Sequence, residues 1–192
     1  MATQSMKAIA AVVGGVIVLV GAFALGKHFV DSPPKTPGLA QFKDSKAGWS
    51  ISYPKAWNRL ESKDTDVVLV VSEKAPEQNT GGSILARDLT LGAAVNDANL
   101  SAAKEVTDRI VTNGQGIQLL AQPTIIHQAG LPGYFYFYSF KEPTTGREGV
   151  HTHYFLFKGS TMISFVFQAL PKENFQGLAH LYDEVIGSFR VL

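Results

Sequence analysis

The feature that most constrains this chain is an apolar run near its N-terminus. Residues 8–26 form a stretch of nineteen residues without a charged side chain. At about 1.5 Å per residue, a helix of this length is roughly 28 Å long, close to the roughly 30 Å hydrocarbon core of a bilayer. The run therefore predicts a transmembrane anchor over residues 8–26, preceded by a short tail, residues 1–7.

The same run has a second interpretation, a cleaved secretory signal. Lys7 supplies a basic residue before it, and Ala22-Phe23-Ala24 fits the pattern of a cleavage site. Both interpretations export the rest of the chain. Lys27 and Lys35 after the run oppose the positive-inside rule. The short tail without acidic residues favours export, so we expect a single-pass protein of the cell membrane with its C-terminal part on the extracytoplasmic side.

Small residues within the run indicate where another helix could approach. Ala11 and Gly15 stand four residues apart, as do Ala22 and Gly26. Such spacing brings small side chains to one helix face, which allows close helix packing in a membrane. The alternative is that Gly and Ala are simply common in membrane helices. As an interface, this face would contact a larger membrane protein complex.

A proline-rich linker separates the run from the remaining sequence. Residues 29–39, FVDSPPKTPGL, contain three prolines. Proline fixes φ and disfavours helix in the residue before it, so this piece predicts an extended spacer. We assign residues 27–40 to the linker and residues 41–192 to one extracytoplasmic domain.

Composition excludes several classes of function. The chain has 17 Lys and Arg against 16 Asp and Glu, a net charge of +1 that offers no basic footprint for nucleic acid. It has no cysteine, which excludes disulfides, thiolate metal sites, cysteine nucleophiles and a lipid-modified N-terminal cysteine. The expected partners are the bilayer and a membrane complex, and nucleic acid is not among them.

The pattern beyond the linker predicts an α+β domain with an antiparallel sheet flanked by helices. Apolar periodicity predicts two helices, residues 100–112 and a second one that follows Pro171 and ends at Gly187. Runs rich in β-branched and aromatic residues predict strands, and turn chemistry between the later ones favours a meander. The predicted strands cover residues 48–54, 67–72, 83–90, 116–128, 133–141, 149–158 and 161–170.

His151 and His153 form the most distinctive pair of polar residues in the sequence. Residues two apart on a strand project from the same face, so both imidazoles could reach one divalent metal ion. The alternative is a solvated strand face with two surface histidines. Glu148, Asp88 and His127 are the candidates for a third ligand. Because no nucleophile elbow or phosphate-binding loop is present, we expect no enzyme and no cofactor beyond such a metal.

Tyr134, Tyr136 and Tyr138 alternate with phenylalanines along one predicted strand. They share one sheet face, while Phe135 and Phe137 share the other. On an open face the tyrosines would form a contact platform for a partner, since tyrosine combines a rigid ring with a polar tip. If a second helical layer covers that face, they are the other half of the core.

The order of elements and several dispersed residues resemble the PsbP-like domain. They are Gly48-x-x-Ile51-x-x-Pro54-x-x-Trp57 early in the domain, and Pro171-x-x-x-Phe175 and Ile186-x-Ser188-Phe189 near its end. The resemblance implies an α-β-α sandwich and a non-catalytic accessory protein. Such a protein would stabilise or help to assemble a larger membrane complex, for instance a respiratory or other energy-converting one. The alternative is an exported module that binds a lipid, a glycolipid or a metal ion.

The small-residue face yields a first prediction. If Gly15 packs against a helix of a partner complex, Gly15→Leu blocks the close approach and lowers recovery of that complex from membranes solubilised in mild detergent. Ala11→Gly, which keeps the face small, is the matched control. Equal recovery with Gly15→Leu and wild type would contradict this role.

Overall fold

The computed structural model describes residues 38–75 and 78–192. The predicted anchor, including Ala11, Gly15, Ala22 and Gly26, lies outside the described residues. Within them, neither helix has the length and hydropathy needed to cross a bilayer. The elements are β1 (Leu39–Asp44), β2 (Trp49–Pro54), β3 (Asn58–Arg59), β4 (Val67–Ser72), β5 (Gly81–Val95), α1 (Leu100–Thr112), β6 (Gln118–Gln128), β7 (Leu131–Lys141), β8 (Glu148–Leu170), a 3₁₀ turn (Lys172–Asn174), α2 (Phe175–Gly187) and β9 (Arg190–Val191).

The strands form two antiparallel sheets. A large sheet has the order β3-β4-β5-β8-β7-β6, and a small one has the order β1-β2-β9. β1 begins at Leu39, two residues inside the range predicted as linker. The mixed α+β fold with antiparallel strands and two helices therefore matches the sequence prediction.

The stretch labelled β8 reverses direction in its middle. His153 Nε2 lies 2.7 Å from Ser164 Oγ, which eleven residues of straight strand would not allow at about 3.3 Å per residue. Gly159 has a φ of 60°, the left-handed conformation that suits glycine in a tight turn. Residues 148–156 pair with β7 and residues 161–170 pair with β5. The predicted meander of β6, β7 and the two arms of β8 is therefore present.

Both faces of the large sheet are covered. On one face, Leu100, Ala103 and Val111 of α1 pack with the tyrosines of β7. On the other face, α2 and the small sheet pack on Phe135, Tyr154 and the phenylalanines of the second β8 arm. Since side chains alternate along a strand, the large apolar residues of β7 and β8 need cover on both sides. The result is a three-layer sandwich.

A clasp joins the small sheet to the large one. Trp49 of β2 is fully buried, and its indole N–H donates to the Asp88 carboxylate of β5 at 3.0 Å. Burial raises the pKa of Asp88 to about 7, and the neighbouring Asp44 carboxylate adds to the rise, whereas the Trp49 bond and Lys46 oppose it. Asp88 is therefore more easily ionised in the unfolded chain than in the folded domain.

This clasp predicts a pH dependence of stability. Because the folded pKa is raised, the contribution of protonated Asp88 is fully present below its unfolded pKa near 4 and is lost as pH rises through about 7. Asp88→Asn keeps an acceptor for Trp49 and cannot ionise. Relative to this variant, wild type should lose on the order of 2 kcal/mol of unfolding free energy between pH 5 and pH 8, allowing for partial exposure. Urea titrations at both pH values check it, and parallel changes in the two proteins would contradict it.

Candidate functional site

The predicted site residues of β7 and β8 lie together beneath α1. The antiparallel register places Tyr136 opposite His153 and Tyr138 opposite His151. Tyr134, Tyr136 and Tyr138 are all buried. The structure thus shows the arrangement in which a helical layer covers this face, and the three tyrosines do not form an exposed platform.

The tyrosine hydroxyls hold α1 in place. Tyr134 donates to the Leu100 carbonyl oxygen at 3.2 Å, and Tyr136 donates to Asp108 Oδ1 at 2.7 Å. The Tyr136 hydroxyl also lies 2.6 Å from Thr107 Oγ1. A hydrogen-bonded buried hydroxyl avoids the cost of desolvation, so these contacts fix where the helix sits along the strand. Their role is structural.

His153 is fully hydrogen-bonded within the core. Its Nδ1 lies 3.1 Å from the Tyr138 hydroxyl and its Nε2 lies 2.7 Å from Ser164 Oγ. A neutral imidazole donates at one nitrogen and accepts at the other, which these two hydroxyl partners satisfy. Burial lowers the pKa of His153 to about 3, and the Arg87 guanidinium adds to the shift. The ring is therefore neutral at physiological pH.

His151 lacks such partners. The ring is completely buried between Tyr138 and Phe140, with centroid distances of 4.5 and 4.6 Å. Neither of its nitrogens has a hydrogen-bond partner within residues 38–75 and 78–192. Burial keeps the pKa of His151 well below its ordinary value, and the neighbouring His153 adds to the shift. Gly149, opposite Phe140, leaves the space that the phenyl ring occupies, since a Cβ there would lie 2.3 Å from the ring.

The two histidines are not assembled into a metal site by the described residues. Across residues 38–75 and 78–192, no three His, Asp or Glu side chains are grouped so as to hold an ion. Of the candidates for a third ligand, Glu148 binds Lys172, Asp88 binds Trp49 and His127 binds Asp97. The alternative of solvated surface histidines is wrong, because His151 is 0% exposed and His153 is 4% exposed.

The surface that stands out in the described part of the chain is the edge of the large sheet formed by β6. Eight of its eleven residues are exposed, and Ile125 is 62% exposed, Leu120 44% and Leu119 42%. From Ile110 to Phe140 the sequence has no Lys, Arg, Asp or Glu. Large apolar side chains on an uncharged edge are typical of contact sites, since edges are usually protected by charge or covered. Sequence reasoning placed a strand here and missed its exposure, which the long uncharged run signals.

β6 has two parts. Its pairing with β7 shifts register between Leu119 and Ala121 and again between Ala121 and Thr124. We call residues 118–122 the leucine segment, because it carries Leu119 and Leu120. Residues 124–128 pair with β7 without a shift, and we call them the regular segment.

Two open grooves lie elsewhere on the described surface. One of about 480 Å³ runs between residues 59–62 and β4, and one of about 540 Å³ lies between Glu73, Thr80 and the start of α2. A small-molecule site is normally concave and largely enclosed. In neither groove do buried polar side chains converge on a common point.

The histidines predict acid sensitivity. Their folded pKa values are lowered, so the stability they contribute is present above their unfolded pKa near 6.5 and is lost as pH falls below it. Leucine has a volume similar to that of histidine, and His151→Leu breaks no hydrogen bond. Between pH 7 and pH 5, the unfolding free energy of this variant should fall by about 2 kcal/mol less than that of wild type.

His153→Leu is the contrasting variant. It leaves Tyr138 and Ser164 without their partner, so it should lower stability at pH 7 by about 2 kcal/mol or more, although it also removes the share of the acid sensitivity that His153 contributes. Thermal or urea unfolding at pH 5 and pH 7 distinguishes the two variants. An unchanged acid sensitivity in His151→Leu would show that this ring does not titrate on unfolding.

Comparison with known proteins places the fold. No family model and no curated protein matches the chain. Several solved structures do. The solution structure of cyanobacterial PsbP (CyanoP) from Synechocystis sp. PCC 6803 is 16% identical with a TM-score of 0.59, covering 85% of this chain and 99% of CyanoP.

Two further structures share the architecture. LpqN from Mycobacterium tuberculosis, involved in cell envelope biogenesis, is 13% identical with a TM-score of 0.58, covering 80% of this chain and 90% of LpqN. The Ran-binding protein Mog1p from Saccharomyces cerevisiae is 14% identical with a TM-score of 0.53, covering 80% of this chain and 95% of Mog1p. At these identities the likeness concerns the fold alone, and the chain has a PsbP-like fold.

Proposed function

We propose that this protein is a non-catalytic, membrane-anchored accessory protein whose extracytoplasmic domain binds and stabilises a larger membrane protein complex, such as a respiratory one. The observation that carries the proposal is the exposed leucine segment of β6. Apolar side chains on an uncharged surface lose contact with water when a partner covers them, at about 25 cal/mol per Å². The predicted anchor over residues 8–26 and the proline-rich linker would hold this surface near a membrane partner.

The chemistry of the buried groups supports a binding role over a catalytic one. His151 and His153 sit in the core beneath α1, and Asp88 is bound to Trp49. A general base or nucleophile must reach its substrate, which these buried side chains do not do. Among the similar structures, Mog1p is itself a binding protein, for Ran.

The test is recovery of a complex by the full-length tagged protein from membranes solubilised in mild detergent. The double variant Leu119→Lys/Leu120→Lys should lower recovery of the co-eluting complex by at least tenfold, because each lost apolar contact costs about 1–2 kcal/mol and the new charges must be desolvated. Its circular dichroism and melting temperature should stay near wild type, since both leucines are exposed.

Leu192→Lys is the matched control. Leu192 is 55% exposed, comparable to the two leucines, and lies outside β6. It should leave recovery unchanged. A wild-type bait that elutes alone, or a bait shortened near Ala24, would contradict the proposal and favour an exported ligand-binding module instead.

A further inference from the structure

The regular segment of β6 is a well-formed strand whose outer side pairs with no other strand of the described residues. It leads directly into a two-residue turn, Ala129-Gly130, in which both residues have positive φ, 49° and 81°. Such a turn closes a hairpin of well-defined register, here Gln128 opposite Leu131 through Thr124 opposite Phe135. β6 is the last strand in the order of the large sheet.

The turn determines which backbone groups point outward. In a two-residue hairpin the residues flanking the loop form a hydrogen-bonded pair, and hydrogen-bonded and non-hydrogen-bonded pairs then alternate. Thr124, Ile126 and Gln128 therefore bond to β7. Ile125 and His127 direct their N–H and C=O groups away from the sheet. These two residues offer two donors and two acceptors to an incoming strand.

Charge distinguishes this edge from the opposite one. β3 at the other end of the sheet has only two residues, includes Arg59 and is followed by Glu61 and Lys63. Short, charged edges discourage pairing with another chain. β6 carries no Asp, Glu, Lys or Arg, and the nearby Asp97 carboxylate is bound by His127 at 2.6 Å. Two copies of β6 can thus meet without placing like charges opposite each other.

We propose that the regular segment is a homodimerisation edge, at which a second copy of this chain pairs its own residues 124–128 antiparallel to them. An interface with two-fold symmetry must be complementary to itself, and an uncharged strand meets that requirement. This deepens the proposed function, because it names a partner for one half of β6 and leaves the leucine segment to the membrane complex.

The free backbone groups select one register. With the two-fold axis at Ile126, Ile125 lies opposite His127 of the second copy, so each pair exchanges both of its outward hydrogen bonds. Ile126 then lies opposite Ile126 of the second copy in a non-hydrogen-bonded pair, and Thr124 lies opposite Gln128 of the second copy. Pro123, which has no N–H to donate, falls outside the bonded pairs. The exposed Ile125 side chains lie inside the interface and become covered.

The absence of cysteine makes this register directly testable, because any engineered thiol is the only one in the chain. Single variants Ile126→Cys, Gln122→Cys and Asn58→Cys are expressed as full-length protein, and membranes are treated with a mild oxidant before a non-reducing gel. Cβ atoms of facing residues in a non-hydrogen-bonded pair lie about 4.5–5.5 Å apart, within disulfide reach. Ile126→Cys should therefore give at least tenfold more disulfide-linked dimer than Gln122→Cys or than Asn58→Cys on the opposite edge.

A double variant guards against misfolding of Ile126→Cys, whose side chain is half-buried. Thr124→Cys/Gln128→Cys should cross-link, whereas each single variant should not, since residue 124 faces residue 128 only across the dimer. Adding Ile125→Lys to either cross-linking variant should reduce the dimer at least tenfold by bringing positive charge into the pairing.

The outcomes separate the two proposals. Absence of dimer in both Ile126→Cys and the double variant, equal cross-linking at all positions, or a cross-link only to another protein would overturn homodimerisation. Leu119→Lys/Leu120→Lys should leave the cross-link intact while it lowers recovery of the membrane complex. Recovery of the complex without any cross-link would leave the proposed function standing and refute the self-pairing alone.

Discussion

The structure depends on a sheet that is apolar on both faces. Along β7, three tyrosines on the face covered by α1, the tyrosine face, alternate with Phe135 and Phe137 on the face covered by α2, the phenylalanine face, and β8 also carries large apolar side chains on both faces. Such a sheet is stable only between two covering layers, because either face left open would expose several large side chains to water. The position of α1, α2 and the small sheet follows from this single requirement.

The two covering layers are attached by different means. On the phenylalanine face, contacts are mainly apolar and aromatic, and Trp49 packs edge-on against Phe165 with centroids 5.1 Å apart. On the tyrosine face, hydroxyls bond to the backbone and side chains of α1. Apolar burial is non-directional, whereas a hydrogen bond specifies a partner and a geometry. The tyrosines thus give α1 a defined position that packing of a short amphipathic helix would leave less certain.

Local patterns allowed much of the fold to be predicted. α1 covers residues 100–112 and β4 covers residues 67–72, as the sequence indicates, because apolar periodicity and β-branched runs are local signals. β3 and β9 have two residues each and were not predicted, since so short a strand is defined by its partner rather than by its own sequence. β1 was also missed, and it too is defined by pairing with β2.

The candidate sites were harder to predict for a physical reason. Alternation shows that His151, His153 and the tyrosines share a face, and that part of the prediction is correct. Whether the face is open depends on where α1 docks, which is a long-range contact with no signature in these residues. The place of β6 at the end of the sheet is likewise set by strand order, and sequence proximity to β7 cannot reveal it.

The contrast between core and edge limits where function can reside. The fold strongly favours the neutral form of several groups, among them Asp88, His151 and His153, and each of these three lies in a structural contact of the core. Perturbed groups often mark active sites, but structural contacts perturb them as well, and burial without a cleft favours the second cause. The β6 edge differs from these buried groups, because it exposes backbone groups and apolar side chains and carries no charged residue. A surface of this kind can recognise another strand or another apolar surface, which is the physical basis of the proposed binding role.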